Sequence, residues 1–154
     1  MAIWSEWLAG GPISSARMSA ELARHLRFRD PATVRSEVVD YLSHLTQKSG
    51  ALLAAQAIFI VVETYGIDHG WPKMVVIVSV LALVVAVLIV LTNLRSVYFS
   101  PVACDNPTEF EMESLKLATG VLTSRSARFN VALYLTFFSV ILLGIGAIDA
   151  TFGL

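Results

Sequence analysis

The longest uncharged run is the feature that most constrains the fold of this chain. Met74–Leu94 contains no Asp, Glu, Lys or Arg over 21 positions. The run is apolar on all sides of a helix, and a chain of 154 residues has little core in which to bury it. Since a membrane-spanning helix needs about 20 mostly apolar residues, this run predicts a helix that crosses a bilayer.

Two further segments predict two more crossings. Phe129–Ile148 is also uncharged, and the uncharged segment Gly50–Val62 continues past Glu63 to about Gly66. Because unpaired backbone groups are costly in lipid, we expect all three segments to be helical, with spans at about 50–66, 74–94 and 129–148. The charged residues, 15% of the chain, all lie outside the three uncharged runs, so the remainder resembles a soluble protein in charge content.

The basic residues predict the orientation. Six Lys and Arg precede the first span and four lie between the second and third, whereas Lys73 alone lies between the first and second. The positive-inside rule then places the N-terminus in the cytoplasm and the C-terminus in the periplasm, for a multi-pass protein of a bacterial inner membrane. The opening residues lack the charged and apolar regions of a signal peptide, so none is expected.

Residues 1–30 predict a separate N-terminal amphipathic helix. A tryptophan pair and a stripe of apolar residues accompany several arginines in this segment. Such a helix can lie in the cytoplasmic interface of the membrane, or it can pack on another protein or on the rest of the chain. The predicted interfacial anchors are Trp4, Trp7, Arg17, Arg24 and Arg27.

Two segments outside the spans predict helical extensions, at residues 31–49 and 107–128. Each starts with an acidic residue closely followed by proline, which suits the first turn of a helix. Apolar stripes continue from each start, through Val34, Val38 and Leu42 and through Leu115 and Ala118. We therefore predict an all-α integral membrane fold in which the first and third helices extend into the cytoplasm as an antiparallel helical stalk.

Small and polar residues within the spans are the candidate interaction sites. Small side chains let helix backbones approach closely in lipid, and the candidates for helix packing are Gly50, Ala54, Ala57, Gly144 and Gly146. The intramembrane polar candidates are Gln56, Glu63 and Asn130, with Ser79, Tyr134, Thr136 and Ser139 also inside the spans.

The polar candidates suggest structural roles. We interpret Glu63 as an interfacial carboxylate that reaches water, and a cluster with Asp68 and His69 as a weak alternative. Gln56 and Asn130 are expected to form hydrogen bonds between helices.

The sequence carries no pattern typical of catalysis. It has one cysteine, Cys104, and its three histidines lie outside the spans. A phosphate-binding glycine loop, a nucleophile elbow and a Cys–His pairing are all missing. We therefore expect neither an enzyme nor a metal or cofactor site. A net charge of −1 likewise gives no reason to expect a nucleic-acid partner.

The segment around the first span resembles a known family. It reads VVDYLSHLTQKSGALLAAQAIFIVV, a polar helix ending in lysine and followed by a small-residue and leucine run. In the second half of the chain, a leucine-containing helix enters the last span directly, in LKLATGVLTSRSARFNVALYLTFFSVILLGI. Together the two segments resemble the Pycsar-type transmembrane effector domain of bacterial anti-phage systems, over about residues 30–148. The matching residues are Lys48, Gly50, Ala51, Leu52, Leu53 and Ala54.

The resemblance implies a non-catalytic module that responds to a nucleotide signal and oligomerises to impair the inner membrane. The chain departs from the family in residues 1–30 and in having no room for an appended nucleotide-binding domain. The alternative hypothesis is an accessory structural subunit of a larger inner-membrane complex, respiratory or photosynthetic. Both hypotheses require the lipid bilayer and a protein partner, either a second copy or a complex. A small transporter has the least support, because no polar site at the middle of the membrane is evident.

Overall fold

The computed structural model describes residues 29–94 and 107–152, which form three α-helices. They are α1 (Pro31–Asp68), α2 (Lys73–Leu94) and α3 (Pro107–Phe152). All three are long and apolar enough to cross a membrane, and the described residues contain no strand. The prediction of an all-α membrane protein with three spans is therefore confirmed. The amphipathic helix predicted for residues 1–30 lies outside the described residues, except for its last two positions.

The start of α1 follows from its first two residues. The carbonyl of Asp30 accepts a hydrogen bond from the backbone N–H of Val34 at 3.2 Å, as expected of a residue that caps a helix. Pro31 then occupies the first helical position, where its missing N–H removes no hydrogen bond. The helix continues without a break to Asp68, close to the predicted end at Gly66.

The end of α1 depends on Gly70. This residue has φ of +80°, a conformation that glycine adopts without a steric penalty. Its N–H donates to the carbonyl of Ile67, and the N–H of Trp71 donates to the carbonyl of Gly66. These two bonds form the Schellman motif that satisfies carbonyls at the end of a helix, and Pro72 then prevents its continuation. A four-residue connection can therefore reverse the chain between α1 and α2.

The described residues fall into two units. The amphipathic unit comprises 29–46 and 107–127, and the membrane unit comprises 47–94 and 128–152. In the amphipathic unit, one apolar cluster joins the first turns of α1 to the first half of α3. Its buried members are Val34, Val38, Leu42, Leu115 and Ala118. Both predicted apolar stripes thus bury one another, and burial of apolar surface provides the stability of this unit.

The membrane unit has polar residues inside and apolar residues outside. Its buried polar residues are Ser49, Gln56, Glu63, Ser79, Asn93, Thr136 and Ser139. Large apolar side chains on the outside are 58–68% exposed; these are Ile58, Val61, Leu81, Leu88, Phe137 and Ile141. This arrangement would be unfavourable in water, whereas in lipid the polar groups meet each other and the apolar groups meet hydrocarbon.

The orientation predicted for the first and third helices is wrong. In the membrane unit, Gln56 of α1 contacts Thr136 of α3, and Glu63 contacts Ser139, so residue numbers rise in the same direction along both helices. Hence α1 and α3 run parallel, not antiparallel. The physical reason is that α2 reverses the chain between them, and the first and third crossings of a membrane share one direction.

Candidate functional site: a buried polar core

Three buried polar residues lie on one face of α1. Ser49, Gln56 and Glu63 are fully buried and follow one another at intervals of seven residues. Seven residues are close to two helical turns, so the three side chains share a face and lie about 10 Å apart along the axis. This face of α1 therefore places a polar group at three depths of the membrane unit.

Glu63 is the centre of the largest polar cluster. Its Oε1 accepts hydrogen bonds from the hydroxyls of Ser79 on α2 and Ser139 on α3, the latter at 3.2 Å. The two hydroxyl oxygens lie 2.5 Å apart. Each hydroxyl also reaches the other residue's backbone carbonyl, Ser79 Oγ to Ser139 O at 3.2 Å and Ser139 Oγ to Ser79 O at 3.0 Å. One carboxylate thus connects all three helices of the membrane unit.

Gln56 forms a second connection between α1 and α3. Its Nε2 donates to Thr136 Oγ1 at 2.8 Å, and that hydroxyl donates to the carbonyl of Ala132 at 2.8 Å. The prediction that Gln56 bonds between helices is confirmed. The same prediction for Asn130 is wrong within the described residues, because its side chain is only half-buried and forms no hydrogen bond with another described helix. Apolar residues that include Ala86, Val90 and Ala132 form the core cluster of this unit.

The interpretation of Glu63 as an interfacial carboxylate is wrong. Its side chain is fully buried, and no described Lys, Arg or His side chain forms an ion pair with it. Its position on the helix gives the reason: the face that carries Glu63 meets the serines of α2 and α3 and not the lipid or water. Asp68 and His69 are both exposed, so they do not join Glu63, and the described residues contain no group of acidic, His or Cys side chains suited to a metal.

Several buried oxygens in the membrane unit have no hydrogen-bond partner among the described residues. They are Oγ of Ser49, Oε1 of Gln56 and Oε2 of Glu63. Buried polar atoms in proteins are usually paired, and in lipid an unpaired one is especially unfavourable. These atoms can therefore accept hydrogens or a cation without displacing an existing bond.

Trp71 packs against two glycines at the end of the membrane unit that holds Glu63. A Cβ atom built on Gly66 would overlap the indole ring, and one built on Gly146 would lie 3.3 Å from its Cε3. The predicted packing role of Gly146 therefore has a named partner, Trp71. Trp71 was not predicted as a packing residue, although tryptophan at the end of a membrane span is typical of the membrane interface.

The other predicted packing residues face outward. Gly50, Ala54, Ala57 and Gly144 are exposed, and a Cβ at Gly50 or Gly144 would have nothing within 4 Å. None of these four small residues is thus buried by a contact with the described part of the chain.

Some predicted residues lie outside the described residues, and some buried ones were missed. The proposed anchors Trp4, Trp7, Arg17, Arg24 and Arg27, together with Cys104, belong to the first group. Ser49 and Asn93 are buried polar residues that were not predicted from the sequence. The seven-residue repeat that links Ser49 to Gln56 and Glu63 was the available signal for Ser49. Asn93, at the end of α2, had no comparable signal.

Comparison of the chain with protein-family models, curated proteins and solved structures gave no match.

Proposed function

We propose that this protein is a non-catalytic membrane protein that self-associates in the bacterial inner membrane and impairs its permeability barrier. The observation that carries the proposal is the outward-facing small-residue surface of α1. It is formed by Gly50, Ala54 and Ala57. The resemblance of residues 30–148 to Pycsar-type membrane effectors adds independent support.

The spacing of this surface suits contact between two helices. Positions 50, 54 and 57 differ by four and three residues, so they lie on one side of α1. Lipid chains are as apolar as helix side chains, so helices in a membrane associate through close packing and not through the hydrophobic effect. A second copy could therefore approach the α1 backbone closely at this surface, where Gly50 has open space around its Cα.

The distribution of Lys and Arg supports the proposed orientation. Ten of the eleven lie before the first span or between the second and third, which favours a cytoplasmic N-terminus and a periplasmic C-terminus. In this arrangement the amphipathic unit would meet cytoplasmic signals, while the membrane unit would associate with other copies.

Self-association is tested by energy transfer between labelled copies of the full chain in lipid vesicles. Ala57→Leu is expected to weaken association about tenfold, equivalent to about 1.4 kcal/mol, because a larger side chain separates the backbones. Ala150→Leu, the same change at an exposed position near the end of α3, serves as the matched control and should leave association unchanged. Equal transfer in all three proteins would contradict the proposed surface.

The effect on the membrane is tested in cells with a potential-sensitive dye. Expression of the chain under induced nucleotide signalling should depolarise the membrane, and Ala57→Leu should reduce the effect. A potential that stays constant while the protein remains monomeric would overturn the effector function.

The alternative function, an accessory subunit of a larger inner-membrane complex, predicts another outcome. An outward small-residue surface would equally accept a helix of a different protein. Native purification distinguishes the two, because stable and stoichiometric co-purification with one large complex would favour the accessory subunit.

A further inference from the structure

We propose that Glu63, Ser79 and Ser139 form a reversible binding site for a small monovalent cation, a proton or a sodium ion, inside the membrane unit. The proposal goes beyond self-association. All three residues belong to one chain, so the site can exist in a single copy, and the two proposals can fail independently.

The cluster contains more acceptors than hydrogens. Five oxygens take part: Oε1 of Glu63, the two serine hydroxyls and the two serine backbone carbonyls. They form five close oxygen pairs, but the two hydroxyls supply only two hydrogens. An ionised carboxylate would therefore leave most of these contacts without a hydrogen, and a bound cation would satisfy several of the acceptors at once.

A proton bound at Glu63 completes the cluster. The carboxyl can then donate to Ser79 Oγ, the Ser79 hydroxyl to Ser139 Oγ, and the Ser139 hydroxyl to the carbonyl of Ser79. Each of these three donors has one acceptor at a distance that the structure already contains. Such fully satisfied networks are the favourable form of buried polar groups.

Release of a proton needs only rotation of the hydroxyl groups within the cluster. Ser139 Oγ lies 3.2 Å from Glu63 Oε1 and 3.0 Å from the carbonyl of Ser79, so its hydrogen can turn from one to the other. When the carboxylate is ionised, both serine hydroxyls can donate to it. The protonated cluster therefore has three hydrogens to share among its oxygens, and the ionised cluster has two.

The charge of the site selects a monovalent ion. The site carries one negative charge, that of the carboxylate, and a single positive charge balances it. A divalent ion would leave an unfavourable net charge in lipid. Oxygen ligands suit hard cations such as sodium, and Oε2 of Glu63 is buried and free to act as a further ligand.

No other charged group of the described chain neutralises Glu63. On α1 and the following turn, Asp68 and His69 are exposed, and on α2 Lys73 is exposed. On α3, Tyr134 is exposed and Asp149 lies ten residues beyond Ser139. None of these groups forms a hydrogen bond or ion pair with the Glu63 carboxylate, so no described residue compensates its charge.

Infrared difference spectroscopy tests the site directly in the full chain reconstituted in vesicles. The vesicles, of phosphatidylethanolamine and phosphatidylglycerol, are perfused with choline chloride buffers of different pH. We expect the C=O stretching band of a protonated carboxyl to appear on acidification, to be missing in Glu63→Gln, and to persist in the control Asp68→Asn. The band reports the carboxyl itself, so reagents need not reach the site.

Replacement of choline by sodium at constant pH separates the two cations. Loss of the Glu63 band on addition of NaCl would show that sodium competes with the proton, and an unchanged band would identify the proton as the ligand. Both outcomes support the site. No Glu63-dependent band change between about pH 4 and 10 in either salt would overturn it, because the carboxyl would then remain in one state.

The serines are tested as positioning residues. Ser79→Ala and Ser139→Ala should each move the midpoint of the band titration by about one pH unit, since a hydrogen-bond partner of the carboxylate is lost. Ser124→Ala, an exposed serine of α3, is the matched control and should leave the midpoint in place. Unchanged midpoints in both serine variants would contradict the proposed cluster.

Discussion

At the scale of single residues, Gly66 shows how closely α1 and the following turn are packed. A methyl group at this position would overlap the ring of Trp71, and that ring cannot withdraw freely because it also lies against Gly146. Two glycines in one membrane unit thus create the space for one tryptophan. Trp71, which occupies this space, belongs to the connection between α1 and α2 and not to a helix.

Gly66→Ala is therefore expected to destabilise the membrane unit by about 1–3 kcal/mol, the usual effect of overpacking. The better helix propensity of alanine, about 1 kcal/mol, offsets part of this loss. The measurement is thermal unfolding of the purified chain in mild detergent, followed by circular dichroism.

Gly144→Ala is the matched control, since a Cβ there meets nothing within 4 Å. It should leave the unfolding temperature unchanged or raise it slightly. If Trp71 causes the loss, Gly66→Ala should be nearly harmless in a Trp71→Ala background. The same loss in both backgrounds would show that the ring is not responsible.

At the scale of elements, the first halves of α1 and α3 hold one another through a small apolar cluster. Leu115 is fully buried against residues that include Val34 and Val38, whereas Leu117, two positions away, is 44% exposed. The amphipathic unit therefore gains its stability from one side of each helix. Because this core is small, few other apolar contacts remain if the side chain of a leucine is shortened.

Leu115→Ala is expected to reduce the free energy of unfolding of the amphipathic unit by about 2–5 kcal/mol, because burial is lost and a cavity remains. Hydrogen exchange of backbone amides, measured on the full chain, should show faster exchange over 31–46 and 107–127. Leu117→Ala should change exchange little. Similar effects of both substitutions would contradict the cluster.

The helices could be predicted from the sequence more fully than their contacts. Hydropathy and the Asp-Pro start each act within one segment, so the C-terminal end of α1 was predicted to within two residues. The partners of Glu63 depend on which faces of α2 and α3 meet α1. Ser79 and Ser139 were recognised as polar residues in spans, but periodicity contains no register between helices, and so their meeting with Glu63 was not predicted.

At the scale of the whole molecule, the position of the charged residues and the direction of the helices together predict one topology. The membrane unit requires that α1 and α3 run in the same direction. Within the membrane unit, the connection between α1 and α2 then lies at the opposite end from Arg128, the first residue of α3 in this unit. Lys73 is the one Lys or Arg near that connection, so the positive-inside rule predicts that the connection is periplasmic.

Single cysteines test this topology in intact cells of a Cys104→Ser background. His69→Cys, at an exposed residue of the connection between α1 and α2, should react with a membrane-impermeant maleimide without permeabilisation. Ser124→Cys, at an exposed residue of the amphipathic unit, should react only after the membrane is opened. The helix direction predicts that the two positions lie on opposite sides, and the charge bias predicts which side is cytoplasmic. Labelling of both positions in intact cells would therefore contradict three crossings, and the reverse pattern would contradict the orientation alone.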